Sequence, residues 1–371
     1  MNIAFFGSSI VSAYWNGAAT YYRGIVRALH DRGHRVTFYE PDAYGRQQHR
    51  DIADPDYATV VVYPGEGEDG VAAMLERAKA ADLVVKASGV GVFDQYLERE
   101  VAALRAPGRL VAFWDVDAPA TLQRLHEAGA GGGADPFRAL VPAYDLVLTY
   151  GGGDPVVAAY AALGARRCVP IYNALDPETH HPVPPEERFR SDCVLLANRL
   201  PDREARIDDF FFRAAESAPA RRFLLGGNGW HDRALPANVT ALGHVYTADH
   251  NAVNCSALAV LNVHRDSMVA NGWSPATRLF EAAGAGACQV TDAWRGVEEF
   301  LEPGREVLVA ADGAEVAAHV DALTPARARA VGRAALRRVL AEHTYAHRAA
   351  QVEAVLEGAR REGAAPAPAV G

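Results

Sequence analysis

The chain has 371 residues, of which 50% are hydrophobic and 22% charged. That is long enough for two folded domains and too apolar for a disordered chain. The net charge of −9 speaks against nucleic-acid binding driven by overall charge, and no apolar run reaches the length of a membrane span.

The opening Met1-Asn2-Ile3-Ala4-Phe5-Phe6-Gly7 has no basic leader. It reads as a first strand, not a signal peptide, so a cytoplasmic chain is expected. A helix over 18–32, closed by Gly33, follows, and then a strand over 35–39. Strands over 59–63, 83–87, 110–114, 146–149 and 168–171 alternate with helices over 70–80, 94–104, 120–128 and 155–163. That alternation predicts βαβ units and a parallel sheet. Unbroken apolar runs such as Leu83-Val84-Val85 suit strands covered on both faces.

Residues 173–185 break the pattern with Pro177, Pro182, Pro184 and Pro185 and read as a linker between domains. The alternation then restarts. Strands are expected over 193–197, 222–225, 239–242, 258–263, 288–291 and 306–310. Helices are expected over 207–217, 247–255, 275–285 and 297–301. The expected organisation is domain 1–172, linker 173–185, domain 186–324, helical region 325–362 and flexible tail 363–371. Ligands of doubly wound sheets sit at strand carboxyl ends, here expected in a cleft between the domains. Cys168, Cys193, Cys255 and Cys288 are far apart and read as buried free thiols. Lys79 and Lys86 are the only lysines, so anion binding falls to arginine, backbone amides or helix ends.

The clearest local signal is Ser274-Pro275-Ala276-Thr277-Arg278-Leu279-Phe280-Glu281. Serine at the cap and proline at the first position start a helix, whose free amides and dipole suit a diphosphate at Ser274 and Thr277. Glu281, about two turns on, is within reach of ribose hydroxyls; an ordinary capped helix is the alternative. Arg199 and Arg203 stand after a strand and Arg265 after another, where guanidinium groups can hold a diphosphate, or simply be solvated. Gly227 and Asn228 allow close ligand approach or form a tight turn, and His244, Val245 and Tyr246 offer a loop for a nucleobase or a short edge strand. His264 alone reads as structural. In the first half, Gly7, Ser8 and Gly17 form a glycine loop that is not a GxGxxG motif. Asp115 and Asp117 follow a strand and suit a general base or acceptor anchor better than a cation site; a helix cap is the bland reading. His180 and His181 read as structural or solvated, and no metal site is assigned.

Taken together, these runs resemble the donor half of a GT-B glycosyltransferase. More narrowly, Phe113-Trp114-Asp115-Val116-Asp117-Ala118-Pro119, Asp176-Pro177-Glu178, Asn198-Arg199-Leu200-Pro201-Asp202-Arg203-Glu204, Leu224-Leu225-Gly226-Gly227-Asn228-Gly229-Trp230 and Phe280-Glu281-Ala282-Ala283-Gly284-Ala285-Gly286-Ala287 resemble the bacterial CgeB-like proteins, named from a spore maturation protein. The resemblance covers roughly residues 1–345. It implies an α/β chain of GT-B type, with two doubly wound Rossmann-like domains facing across a cleft. It also implies a nucleotide-diphospho-sugar co-substrate in the second domain and a small-molecule, glycan or protein acceptor in the first. No separate cofactor, metal, nucleic acid or integral membrane segment is expected. Related retaining transferases carry two glutamates bracketing a seven-residue gap. Glu281 matches the second, the ribose ligand, whereas the first falls on Trp273. A nucleotide-sugar epimerase or hydrolase on the same fold, and a non-catalytic sugar-binding or coat protein, are the alternatives.

Overall fold

The computed structural model describes residues 1–130 and 135–364, so the expected flexible tail lies, beyond residue 364, outside the described residues. The chain forms two units, Met1–Tyr172 with Tyr345–Gly371, and Asn173–Thr344.

The first unit is built on seven strands: β1 (Asn2–Phe6), β2 (Arg35–Asp42), β3 (Thr59–Pro64), β4 (Leu83–Ala87), β5 (Leu110–Asp115), β6 (Leu146–Thr149) and β7 (Cys168–Pro170). All pairs are parallel, in the order β3-β2-β1-β4-β5-β6-β7. The order reverses between β1 and β4, which opens a crevice at the carboxyl ends there. Every residue of β4 is buried, Lys86 included. Its ammonium is held 2.6 Å from Asp94 and 3.6 Å from Glu98, which offsets the cost of burying a charge inside a strand. Phe6, Tyr39, Val84, Phe113 and Val147 form the core on one side of this sheet.

The second unit carries β8 (Ser191–Leu196), β9 (Phe223–Gly226), β10 (Val239–Gly243), β11 (Ala257–Asn262), β12 (Gln289–Asp292) and β13 (Leu308–Ala310). The order is β10-β9-β8-β11-β12-β13, again all parallel. Alternate residues divide between two cores. Cys193, Leu195, Leu225, Leu261 and Val290 lie in one, and Val194, Leu196, Leu224 and Val260 in the other. This is the burial expected of parallel strands covered on both faces.

Several elements depart from the sequence expectation, among them an unexpected short helix, Pro136–Leu140, and a 3-10 turn, Val297–Glu299, where a helix over 297–301 is expected. The helix expected over 207–217 begins earlier, at Pro201, and passes through a π-helical turn, Asp208–Arg213. Phe210, Phe211 and Phe212 are all buried. All three lie in one core of the second unit, at the point where the helix widens. The stretch read as a loop after His264 contains the short helix Asp266–Asn271. The helical region over 325–362 is two helices, Pro325–Glu342 and Tyr345–Ala364, in different units. The last one returns to the first unit and lies on helix Ala19–Asp31. There Gly24 admits the Tyr345 ring, to which an added Cβ would come within 2.2 Å. Glu353 pairs with both Arg32 and His34. The proline-rich segment 173–185 is laid against the second unit. The Leu175 amide donates to the His343 carbonyl at 2.8 Å, and its side chain fills the space where Gly284 lacks a Cβ. No helix among the described residues is long and apolar enough to cross a membrane.

Candidate functional site

In the second unit, the loops after β8, β9 and β10 are tied to one another at the carboxyl edge of the sheet. The Asn228 amide donates to Asn198 Oδ1 at 2.9 Å, the Gly227 amide to the Gly243 carbonyl at 2.7 Å, and the Asn228 side chain lies 3.4 Å from His244 Nδ1. Gly227 has a φ of +129°, and a Cβ there would meet the Ala197 carbonyl at 2.1 Å, so this glycine serves close packing of the loops. His244 stacks edge-on against Tyr246, whose ring is 68% exposed.

The arginines of this edge divide into two groups. Arg199 is bound by Glu204 and Asp232, and Arg265 by Asp202. Arg203 donates its terminal nitrogen to the Asn198 carbonyl at 2.7 Å, but its Nε is buried without a partner. Burial, with Arg278 next in effect, lowers the Arg203 pKa to about 10, which still leaves it cationic at neutral pH. Arg278 also has a buried, unpartnered terminal nitrogen, and burial lowers its pKa too. Asp202 and Asp292 act on Arg203 and Glu281 on Arg278, yet one guanidinium nitrogen of each stays buried without a hydrogen bond, a position that an anionic ligand can fill.

Arg278 belongs to helix Thr277–Gly284. Ser274 was expected to cap it. Instead its hydroxyl donates to the Gly272 carbonyl at 2.9 Å, the helix starts at Thr277, and Ala276 at the cap position offers no side-chain hydrogen bond. An uncapped first turn leaves amide donors and the positive dipole end for a ligand. The approach to it is fixed from below by His264. His264 Nδ1 lies 2.7 Å from Asp292 Oδ1, Nε2 accepts from the Ala276 amide at 3.3 Å, and Arg206 binds the same Asp292 at 2.6 Å. His264 is therefore a positioning residue. Glu281 stands one turn beyond Arg278 on the same helix and is 8% exposed. Burial works against its ionisation, but His180, Arg278 and His250 outweigh it and hold the carboxyl below the usual glutamate range. Trp273 stands in the left-handed region, φ 44°, with its amide on the Arg295 carbonyl at 2.7 Å and its indole N–H on Glu299.

In the first unit, Asp115 is fully buried. Its carboxylate accepts from Ser88 Oγ at 2.8 Å, Thr121 Oγ1 at 2.9 Å, the Asp117 amide at 3.1 Å and Tyr160 Oη at 2.5 Å. Three of these donors reach Oδ1 and one reaches Oδ2, so the carboxylate braces the β5 end, and Asp117 is the less buried of the two aspartates singled out in the sequence. Asp117 is half-buried, and its carbonyl accepts from the Thr121 amide at the start of the next helix. Gly7 leaves room for the Phe38 ring, which a Cβ would meet at 2.4 Å, and Ser8 donates to Asn16 Oδ1 at 2.9 Å. Asn16 in turn donates to the Ser9 and Ser12 carbonyls. This first loop is thus held rigid by its own polar groups, while Gly17 faces open space.

Residues 203–354 match the model of the glycosyl transferase-like family. No curated protein matches the chain. Among solved structures, sucrose-phosphate synthase from Thermosynechococcus elongatus aligns over 96% of this chain and 98% of its own, at 15% identity and a TM-score of 0.69. Anabaena HepE in complex with UDP and glucose aligns over 96% of this chain and 100% of its own, at 16% identity and a TM-score of 0.68. An alpha-glucosyltransferase in complex with UDP-glucose and DNA aligns over 96% and 99%, at 9% identity and a TM-score of 0.70. The fold is GT-B.

The stretch that matches the glycosyl transferase-like model lies mostly in the second unit of that GT-B fold. Of the residues singled out in the sequence, the structure brings Arg203, Thr277 and Glu281 to one helix and its surroundings, and Asn228 and His244 to one loop cluster. It commits Arg199 and Arg265 to ion pairs and Ser274 to its own loop. Arg278, His180 and His250 were not foreseen. Arg278 carried a legible signal, a guanidinium three residues before Glu281 in the first turn of a helix. His180 and His250 are far apart in sequence and had none.

Proposed function

We propose that this glycosyltransferase domain takes a nucleotide-diphospho-sugar and passes the sugar to an acceptor hydroxyl. The observation that carries the donor reading is the pair of buried, unpartnered guanidinium nitrogens on Arg203 and Arg278 beside an uncapped helix start. Both guanidinium groups and the first-turn amides neutralise the departing diphosphate, the main electrostatic task of the reaction. The bond from the anomeric carbon to the phosphate oxygen breaks, the acceptor oxygen bonds that carbon, and its proton passes to a base. Asp117 is our candidate for that base, now that Asp115 is a brace. Glu281 holds the ribose hydroxyls, and the loop of His244, Val245 and Tyr246 borders the nucleobase. Solved neighbours described as bound to UDP or UDP-glucose support a uridine donor. The five quoted runs support the CgeB-like, bacterial subtype, and four free cysteines support a reducing, cytoplasmic compartment. Trp273, anchored on Glu299, supplies no carboxylate where retaining relatives carry the first glutamate.

The test is calorimetry with UDP. Arg203→Ala and Arg278→Ala should each weaken binding by about 1.5–3 kcal/mol, as for a lost charged hydrogen bond, whereas Arg199→Ala should change it far less. Parent affinity in both of the first two variants contradicts the assignment.

A further inference from the structure

His180, His250 and Glu281 come from three separate parts of the second unit: the proline-rich segment, helix Thr247–Ser256 and helix Thr277–Gly284. One ring nitrogen of each histidine and one carboxylate oxygen lie within 4.8 Å of one another. His180 is 3% exposed, and its Nε2, 3.9 Å from Glu281 Oε1, has no hydrogen-bond partner. His250 Nδ1 is likewise buried and unpartnered. An imidazole nitrogen left without a hydrogen bond keeps a lone pair that a metal ion can take. One turn further along the same helix, Asn254 is buried with neither amide atom partnered.

We propose that His180, His250 and Glu281 form a binding site for a divalent transition-metal ion of the zinc class, and that an ion held there competes with nucleotide for Glu281. Two imidazoles and one carboxylate make a three-ligand set with an open fourth position. Donor atoms around a tetrahedral zinc ion lie roughly 3.3 Å apart, so closing the site from its present spread takes side-chain rotation of about 1.5 Å at most. The neighbouring Arg278 opposes any cation electrostatically. Magnesium and calcium bind through charge and oxygen donors and are therefore disfavoured, while an ion bound through imidazole nitrogen tolerates the guanidinium better. The competition rests on the ribose role of Glu281; the metal site itself does not.

The experiment is titration of the full chain with zinc and, for spectroscopy, with cobalt. One ion should bind per chain, cobalt should show the intense visible bands of a four-coordinate nitrogen–oxygen site, and magnesium should do neither. His180→Phe and His250→Ala should each lower zinc affinity at least tenfold. A urea midpoint and a far-ultraviolet circular dichroism spectrum matching the parent show that His180→Phe folds. In the parent, saturating zinc should weaken UDP binding tenfold or more, and in His180→Phe it should not. Zinc binding that is lost in both variants but leaves UDP affinity unchanged overturns the competition and the ribose role of Glu281, and keeps the metal site. Zinc affinity equal in parent and both variants, or octahedral cobalt spectra, overturns the site.

Discussion

At the scale of single residues, what decides a role is which hydrogen-bond positions remain unused. Asp115 and Glu281 are both buried carboxylates, yet they differ. Burial raises the Asp115 pKa against four donors that already occupy it, whereas the cationic surroundings of Glu281 lower its pKa. Asp115→Asn should therefore destabilise the first unit by about 1–3 kcal/mol, since an amide cannot accept from all four donors, and this is read by urea unfolding. Asp117→Asn should lower turnover while leaving donor affinity within a factor of about two; full turnover would remove it as the base. Glu281→Gln should erase the preference for UDP over its 2′-deoxy analogue, measured by calorimetry. A parent protein that binds both equally has no ribose ligand at this position. None of these distinctions was legible in the sequence. It placed Asp115 at a strand end correctly, but Ser88 and Tyr160, which donate to it, lie 27 and 45 residues away.

At the scale of elements, local patterning carried far. β4 was legible because its apolar run is uninterrupted, and its lysine is concealed by partners on the next helix. The start of the helical region at Pro325 was read correctly, and in the structure Thr324 caps it, its Oγ1 accepting from the Arg327 amide at 3.2 Å. The reading of a serine cap before proline misplaced the start at Ser274, because its hydroxyl donates to the Gly272 carbonyl and the helix begins at Thr277. The π turn was illegible, since no local sequence preference marks it. Two predictions belong here. Gly24→Ala should cost about 1–3 kcal/mol, because helices Ala19–Asp31 and Tyr345–Ala364 meet with no room for a methyl group. The support beneath helix Thr277–Gly284 should be acid-labile. Burial raises the Asp292 pKa, but His264 and Arg206 outweigh it, so the folded pKa is lowered. Such a group contributes stability above the unfolded aspartate value of about 3.9 and loses it as pH falls through the folded value. The urea midpoint of the parent should therefore fall more steeply between about pH 5 and pH 2 than that of Asp292→Asn, and parallel profiles would contradict the network.

At the scale of the whole molecule, the two sheets repeat one plan, each reversing its strand order once. The sequence alternation was enough to read that plan, but not to see that the chain crosses between the units twice. The second crossing, between Thr344 and Tyr345, depends on a tyrosine finding Gly24 more than 300 positions earlier. The account stands or falls on whether the second unit is built for a diphosphate. The most direct measurement is calorimetric titration of the full chain with matched nucleoside monophosphates and diphosphates. For at least one base the diphosphate should bind tenfold or more tightly than its monophosphate, because only the longer anion reaches Arg203, Arg278 and the helix start together. Diphosphates that bind no better than monophosphates for any base, or no nucleotide binding at all, would contradict the account.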